Sequence, residues 1–193
     1  RIEDLPFIAR RSRRDPVEVR QAFGLPVDQR LALVSFGGYG VEGLDIDTLS
    51  RLEGYGIVMS GATPMGALTL QDVGRLGSLI PVDEPAMYAR GYRYEDIVRA
   101  VDVVVTKPGY GIISECVAND TALLYTDRGH FIEYDVLVRE MPRYLRCAYL
   151  PQADVLTGHW QTALDQLVRL PRPAVQPAVD GANLALNVVG ALV

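Results

Sequence analysis

Short apolar runs closed off by turn residues recur along the chain at 31–36 (LALVSF), 57–60, 77–81, 102–106, 122–126 and 147–150. Such runs, apolar throughout rather than alternating, suit strands covered on both faces of a parallel sheet. Between them lie stretches with helical spacing at 47–52, 94–100, 111–118, 132–141 and 157–170, the last with Thr157 as its N-cap. Asp15-Pro16 opens an earlier helix, an N-cap followed by proline in the first turn, and Gly24 closes it. Residues 171–177 (PRPAVQP) read as a rigid connector, and 181–193 as one terminal helix. Residues 61–72 show no clear period and read as a loop with a short helix. Strands alternating with helices predict right-handed crossovers. The expected fold is therefore an α/β, Rossmann-like, doubly wound sheet of six mainly parallel strands, with residues 1–15 as an interdomain linker and 16–193 as the domain.

Composition narrows the function classes. A chain of 193 residues, 49 % apolar and 22 % charged, is sized for one substantial core. Its net charge of −5 argues against a general nucleic-acid binder. No apolar run is long enough to span a membrane. No secretory signal opens the chain, and its start at Arg1 reads as that of the C-terminal piece of a longer protein. Cys116 and Cys147, outside any CxxC, and the two scattered histidines, His130 and His159, do not compose a metal site. The expected compartment is the reducing cytoplasm.

Two strand ends carry glycine-rich turns: Gly37-Gly38-Tyr39-Gly40 and Lys107-Pro108-Gly109-Tyr110-Gly111. In doubly wound sheets, ligands gather at the carboxyl edge of the strands. The second turn runs straight into a helix whose free N–H groups attract phosphate, and Lys107 adds a positive charge. Gly38, Gly40 and Gly43 match GxGxxG, but no helix follows at once, so no dinucleotide site is read there. Glycines also serve plain βα turns. Glu115, one turn into the helix, can accept ribose hydroxyls or simply complement the helix dipole. Spacing does not decide between these.

The segment 102–141 as a unit resembles the donor-binding C-terminal domain of GT-B glycosyltransferases. More narrowly, it looks like the glycosyltransferase-like region of plant L-arabinokinases and its free-standing bacterial relatives. The resemblance rests on Lys107, Gly109-Tyr110-Gly111 and Ser114-Glu115, with support from Ser35–Gly38, 156–160 (LTGHW) and the terminal Gly-Ala-Asn helix. It implies that Glu115 binds the nucleotide ribose and that Gly109, Tyr110 and Gly111 face the diphosphate. By the same resemblance, Gly37, Gly38, Tyr39 and Gly40 close over phosphate, and Tyr92 or Tyr94 meets the base. Arg128, Glu133 and His130 are implied to meet the donor sugar. The implied ligand is a nucleoside diphosphate sugar, a uridine diphosphate sugar favoured, with no further cofactor and no metal. The implied partner is an N-terminal acceptor domain absent from this chain, so the chain alone is expected to turn nothing over. Phe131-Ile132-Glu133-Tyr134 replaces the paired Asp/Gln-type sugar contacts of better-known relatives. A non-catalytic nucleotide-sugar sensor is therefore the alternative. A nucleotide-sugar 2-epimerase is disfavoured, since one glutamate rather than two follows the glycine turn.

Overall fold

The computed structural model describes residues 4–36, 43–60 and 78–190. Its sheet contains β1 (Arg30–Val34), β2 (Tyr55–Ser60), β3 (Leu79–Val82), β4 (Val103–Thr106), β5 (Ala122–Tyr125) and β6 (Cys147–Tyr149). These six strands are all parallel and lie in the order β3-β2-β1-β4-β5-β6. Their continuous apolar character follows from burial on both faces. Ala32, Val34, Val103, Val105 and Leu124 point to one side, and Leu31, Leu33, Val104 and Leu123 to the other.

The first side is covered by α2 (Ile46–Leu49), α7 (Gln152–Thr157) and α8 (Gln161–Arg169). Trp160 is wholly buried there, and its indole N–H donates to Val155 O at 3.0 Å. The second side is covered by α1 (Pro16–Ala22), α3 (Glu84–Ala89), α4 (Tyr94–Ala100) and α5 (Tyr110–Asn119), through Val19, Met87, Ile97 and Cys116. The helix α6 (Tyr134–Glu140) precedes β6, and α9 (Gly181–Gly190) ends the described chain. Among the described residues, no helix is long and apolar enough to cross a membrane.

Local chemistry explains most element ends. Asp15 caps α1 by accepting from Val17 N and Glu18 N, and Gly24 leaves the helix at φ +65°. Asp45 caps α2 by accepting from Thr48 N.

One sequence expectation is corrected. Residues 157–170 do not form one helix: α7 ends at Thr157, Gly158 turns at φ +75°, and α8 begins three residues later, at Gln161. Thr157 is not an N-cap, because its hydroxyl donates back to Ala153 O at 2.9 Å. The helix α3, absent from the sequence reading, is capped by Asp83 through Ala86 N at 3.0 Å. The loop expected at 61–72 lies outside the described residues.

Candidate functional site

From β1 the chain moves outward to β2 and β3, then returns to β4 and continues to β5 and β6 on the other side. This reversal separates the connections leaving β1 and β4, which opens a crevice at their carboxyl ends. A cleft of about 960 Å3 lies at that crevice. Its floor is formed by Ser35 and Phe36 after β1, and by Thr106 and Lys107 at the end of β4. The two strand ends are tied together: Ser35 N donates to Val105 O at 3.0 Å, and the Thr106 hydroxyl donates to Ser35 O. Tyr94 rises from the start of α4 and shares a 2.5 Å hydrogen bond with the Ser35 hydroxyl. Burial pushes the Tyr94 hydroxyl far above its ordinary range, although the Ser35 bond opposes this.

One wall is the beginning of α5. Gly109 is its N-cap and offers no side chain to cap the helix, and the first turn holds no acidic residue. Gly109, Tyr110, Gly111 and Ile112 all line the cleft. The first-turn N–H groups thus keep their capacity for an external acceptor.

Lys107 lies beside this turn, and Arg128 covers it. The Arg128 guanidinium donates to Pro108 O at 2.6 Å and stacks 3.9 Å from the Phe131 ring centroid. It also occupies the space that a Cβ on Gly109 would take, so a side chain there would have to displace the guanidinium. Glu133, exposed at the head of α6, completes this side.

The other end is acidic. Glu115 lies on α5 with its side chain only 8 % exposed, and its Oε1 receives both Nε of Arg10, at 2.5 Å, and Nη2 of Arg10. Arg10 belongs to the arm that precedes α1. Its Nε also lies 3.7 Å from Glu95 Oε2 on α4. Burial pushes the Glu115 carboxyl up; the Arg10 hydrogen bond and charge pull it back without cancelling the rise, to which Glu95 adds. Glu84 and Tyr88 of α3 line the cleft nearby.

The residues named from the sequence divide into three groups. Tyr94, Lys107, Gly109, Tyr110, Gly111, Glu115, Arg128 and Glu133 come together around the cleft. Tyr110 turns its hydroxyl outward, where it accepts from Ile8 N at 3.0 Å, and its ring stacks with Phe7. Three others do not line it. The Ser114 hydroxyl is buried and donates to Gly111 O at 2.9 Å. Tyr92 packs edge-on against Phe23, with Arg14 4.2 Å above its ring. His130 is exposed and is not a lining residue. Gly37, Gly38, Tyr39 and Gly40 lie outside the described residues.

Arg10, Glu84 and Tyr88 were missed by sequence reasoning. A start signal for α3 was present in Asp83 followed by Glu84-Pro85, whereas nothing local marks Arg10 out from its neighbours Arg11, Arg13 and Arg14.

The strand order, all-parallel sheet and crevice are those of a Rossmann-like domain, and the fold matches one half of a GT-B glycosyltransferase. The glycosyltransferase WaaG, involved in lipopolysaccharide biosynthesis, aligns with a TM-score of 0.53 at 14 % identity, over 86 % of this chain and 47 % of its own. The glycosyltransferase VinC, solved in complex with dTDP, aligns with a TM-score of 0.52 at 16 % identity, over 86 % of this chain and 39 % of its own. No family model matches. In sequence, the chain is distantly homologous to L-arabinokinase of Arabidopsis thaliana, at 25 % identity over 187 residues. That match takes in 96 % of this chain but only 16 % of L-arabinokinase, and the chain spans less than half of either solved structure.

Proposed function

We propose that this domain binds a nucleoside diphosphate sugar in the cleft between β1 and β4, as the donor-binding part of a glycosyltransferase-like protein. The observation that carries the reading is the pairing of the uncapped start of α5, flanked by Lys107 and Arg128, with the Glu115 carboxylate one turn further along. The α5 amides, with Lys107 and Arg128, would hold the diphosphate. Glu115 would accept hydroxyl donors of the ribose. Glu133, with Arg128, faces the space for the sugar, and Tyr94 stands near the base end. That VinC was solved with dTDP supports a nucleotide in a fold of this kind.

In a transfer reaction, an acceptor hydroxyl gives up its proton to a base on the acceptor side and attacks the anomeric carbon, and the nucleoside diphosphate departs with the electrons of the bond that breaks. The charge that grows on the departing oxygen would be met by the α5 amides and the two cations, which are in place beforehand. This arrangement assigns no step to a metal ion.

Calorimetric titration with UDP, GDP and their sugar conjugates tests the reading. Binding at one site per chain is expected. Glu115→Ala should weaken it about tenfold or more, the worth of a hydrogen bond to a charged group. The melting temperature should stay close to that of the unaltered chain, because Arg10, 58 % exposed, passes its freed charge to water. Equal affinity in the variant removes Glu115 from the site. No binding of any of these nucleotides removes the proposal.

A further inference from the structure

Arg10 meets Glu115 in a particular way. Both its Nε and its Nη2 converge on one oxygen, Oε1, and no hydrogen bond joins Oε2 to the described protein. Unlike Glu95 Oε2, Glu115 Oε2 is not shut away from solvent. The carboxylate is thus gripped on one side and presented on the other.

The grip comes from a fixed backbone. Buried Asn119, at the end of α5, donates to Arg10 O at 3.0 Å and to Glu115 O at 2.9 Å, and accepts from Ser12 N at 2.9 Å. The Ser12 hydroxyl then donates to Asp96 Oδ1 at 2.6 Å. A single amide therefore ties the arm to the same helix that carries the carboxylate. The side chain of Arg10 departs from an anchored point on the arm, even though its own head is half open to water.

On these grounds we infer that Arg10 is a positioning residue of the nucleotide site, clamping Glu115 through Oε1 so that Oε2 accepts from the vicinal hydroxyls of a ribose. The inference rests on the nucleotide-binding reading of the cleft. It makes the arm before α1 part of the site.

The electrostatics agree. Glu115 is faced by Arg10 from the arm, by Glu95 and the hydroxyl of Tyr94 from α4, and by its neighbour Cys116 on α5. Tyr88 of α3 interacts with Arg10, and Glu84 of α3 lines the same cleft. Among these, Arg10 is the group whose charge favours the ionised carboxylate. Burial already raises Glu115, and so does Glu95; removing Arg10 raises it further. Affinity that depends on ionised Glu115 is lost as pH falls through its folded value, so that loss moves to higher pH without Arg10.

The test uses the full chain and four probes: UDP, GDP, dUDP and dGDP, titrated between about pH 5 and pH 8. The unaltered chain should prefer the ribonucleotides. Arg10→Met should weaken UDP or GDP about tenfold at neutral pH, shift the acid loss of binding upward, and erase the preference over the deoxy forms. Arg10→Lys, which keeps the charge but not the two-pronged geometry, should restore the pH profile and only part of the preference. Without ligand at neutral pH, Arg10→Met should melt somewhat earlier, because the buried Glu115 carboxylate loses its counter-charge, whereas Arg10→Lys should change little. If Arg10→Met binds ribonucleotides as well as or better than the unaltered chain, the inference is wrong. It is equally wrong if ribo and deoxy forms weaken alike at every pH. If the unaltered chain binds none of the four, the nucleotide reading itself fails.

Discussion

Gly111→Ala separates folding from binding, because the structure gives the two effects opposite signs. Gly111 is the second residue of α5, and a Cβ built on it meets nothing within 4 Å. Alanine in a helix is favoured over glycine by about 0.5–1 kcal/mol, because the unfolded chain loses less freedom on folding. For a domain of this size, that gain corresponds to a rise in melting temperature of roughly 1–4 °C. The same methyl would protrude into the cleft beside the free amides of the first turn. A diphosphate seated there must withdraw from hydrogen bonds worth about 1.5–3 kcal/mol each when an ion takes part, so losing one costs about tenfold or more in affinity. The expected result is a protein that melts later and binds UDP or GDP more weakly. Differential scanning calorimetry and a titration on the same preparation read both quantities. A stabilised variant with unaltered affinity would refute the placement of the diphosphate on the α5 amides. A destabilised one would refute the account of the helix start. Gly109→Ala is the useful contrast: its methyl must displace the Arg128 guanidinium, the far end of a flexible side chain, so affinity should fall without the gain in stability.

Other positions test the packing. Trp160→Ala empties a wholly buried site and removes the donor to Val155 O; unfolding in urea should show a loss of about 3–5 kcal/mol. Gly158→Ala puts a side chain at φ +75°, 3.0 Å from Thr48 Cβ and 3.2 Å from Leu49 N, and should cost at least about 1–2 kcal/mol by the same measurement. The thiols should be slow to react. Burial pushes Cys116 far above the ordinary thiol range and Cys147 up to about 11, so at about pH 8 a thiol-disulfide reagent should label the native chain sluggishly, Cys147 first, and both sites promptly in denaturant.

The alternation of buried strands and helices was legible because a parallel sheet with both faces covered writes itself as unbroken apolar runs. Helix starts were legible where a side chain declares them, as Asp15 does ahead of Pro16. The helix α7 was not read at all, because Thr157, its last residue, passes locally for the N-cap of the helix that follows, and Gly158 was absorbed into that helix rather than taken as the turn before it. In the site, the turn from Lys107 to Gly111 and Glu115 could be found since strand, glycines and helix are contiguous. Arg10 could not. Its partner is 105 residues away, and the contact depends on Asn119 holding the arm against α5, which no local pattern encodes. Tyr92 and Tyr94 show the same limit from another side. Two residues apart, they part company because Tyr94 opens α4 and looks onto Ser35, while Tyr92 precedes the helix and turns to Phe23.

The distribution of charge along the cleft bears on what can occupy it. At one end, the start of α5, Lys107 and Arg128 favour an anion, with Glu133 at the margin of that end. At the other, Glu84 and Glu115 line the wall, with Glu95 behind Arg10. A ligand anionic along its whole length, such as inorganic polyphosphate, would meet repulsion from the carboxylates. A neutral oligosaccharide would leave the cationic end unmatched and pay for its desolvation. A molecule with a compact anionic centre and hydroxyl or N–H donors a few ångströms away satisfies both ends at once, which is the chemical form of a nucleoside diphosphate. Competition therefore has a predicted order: pyrophosphate should displace UDP weakly, uridine more weakly still, and neither should approach the affinity of the intact nucleotide, since each engages one end and leaves the other to water.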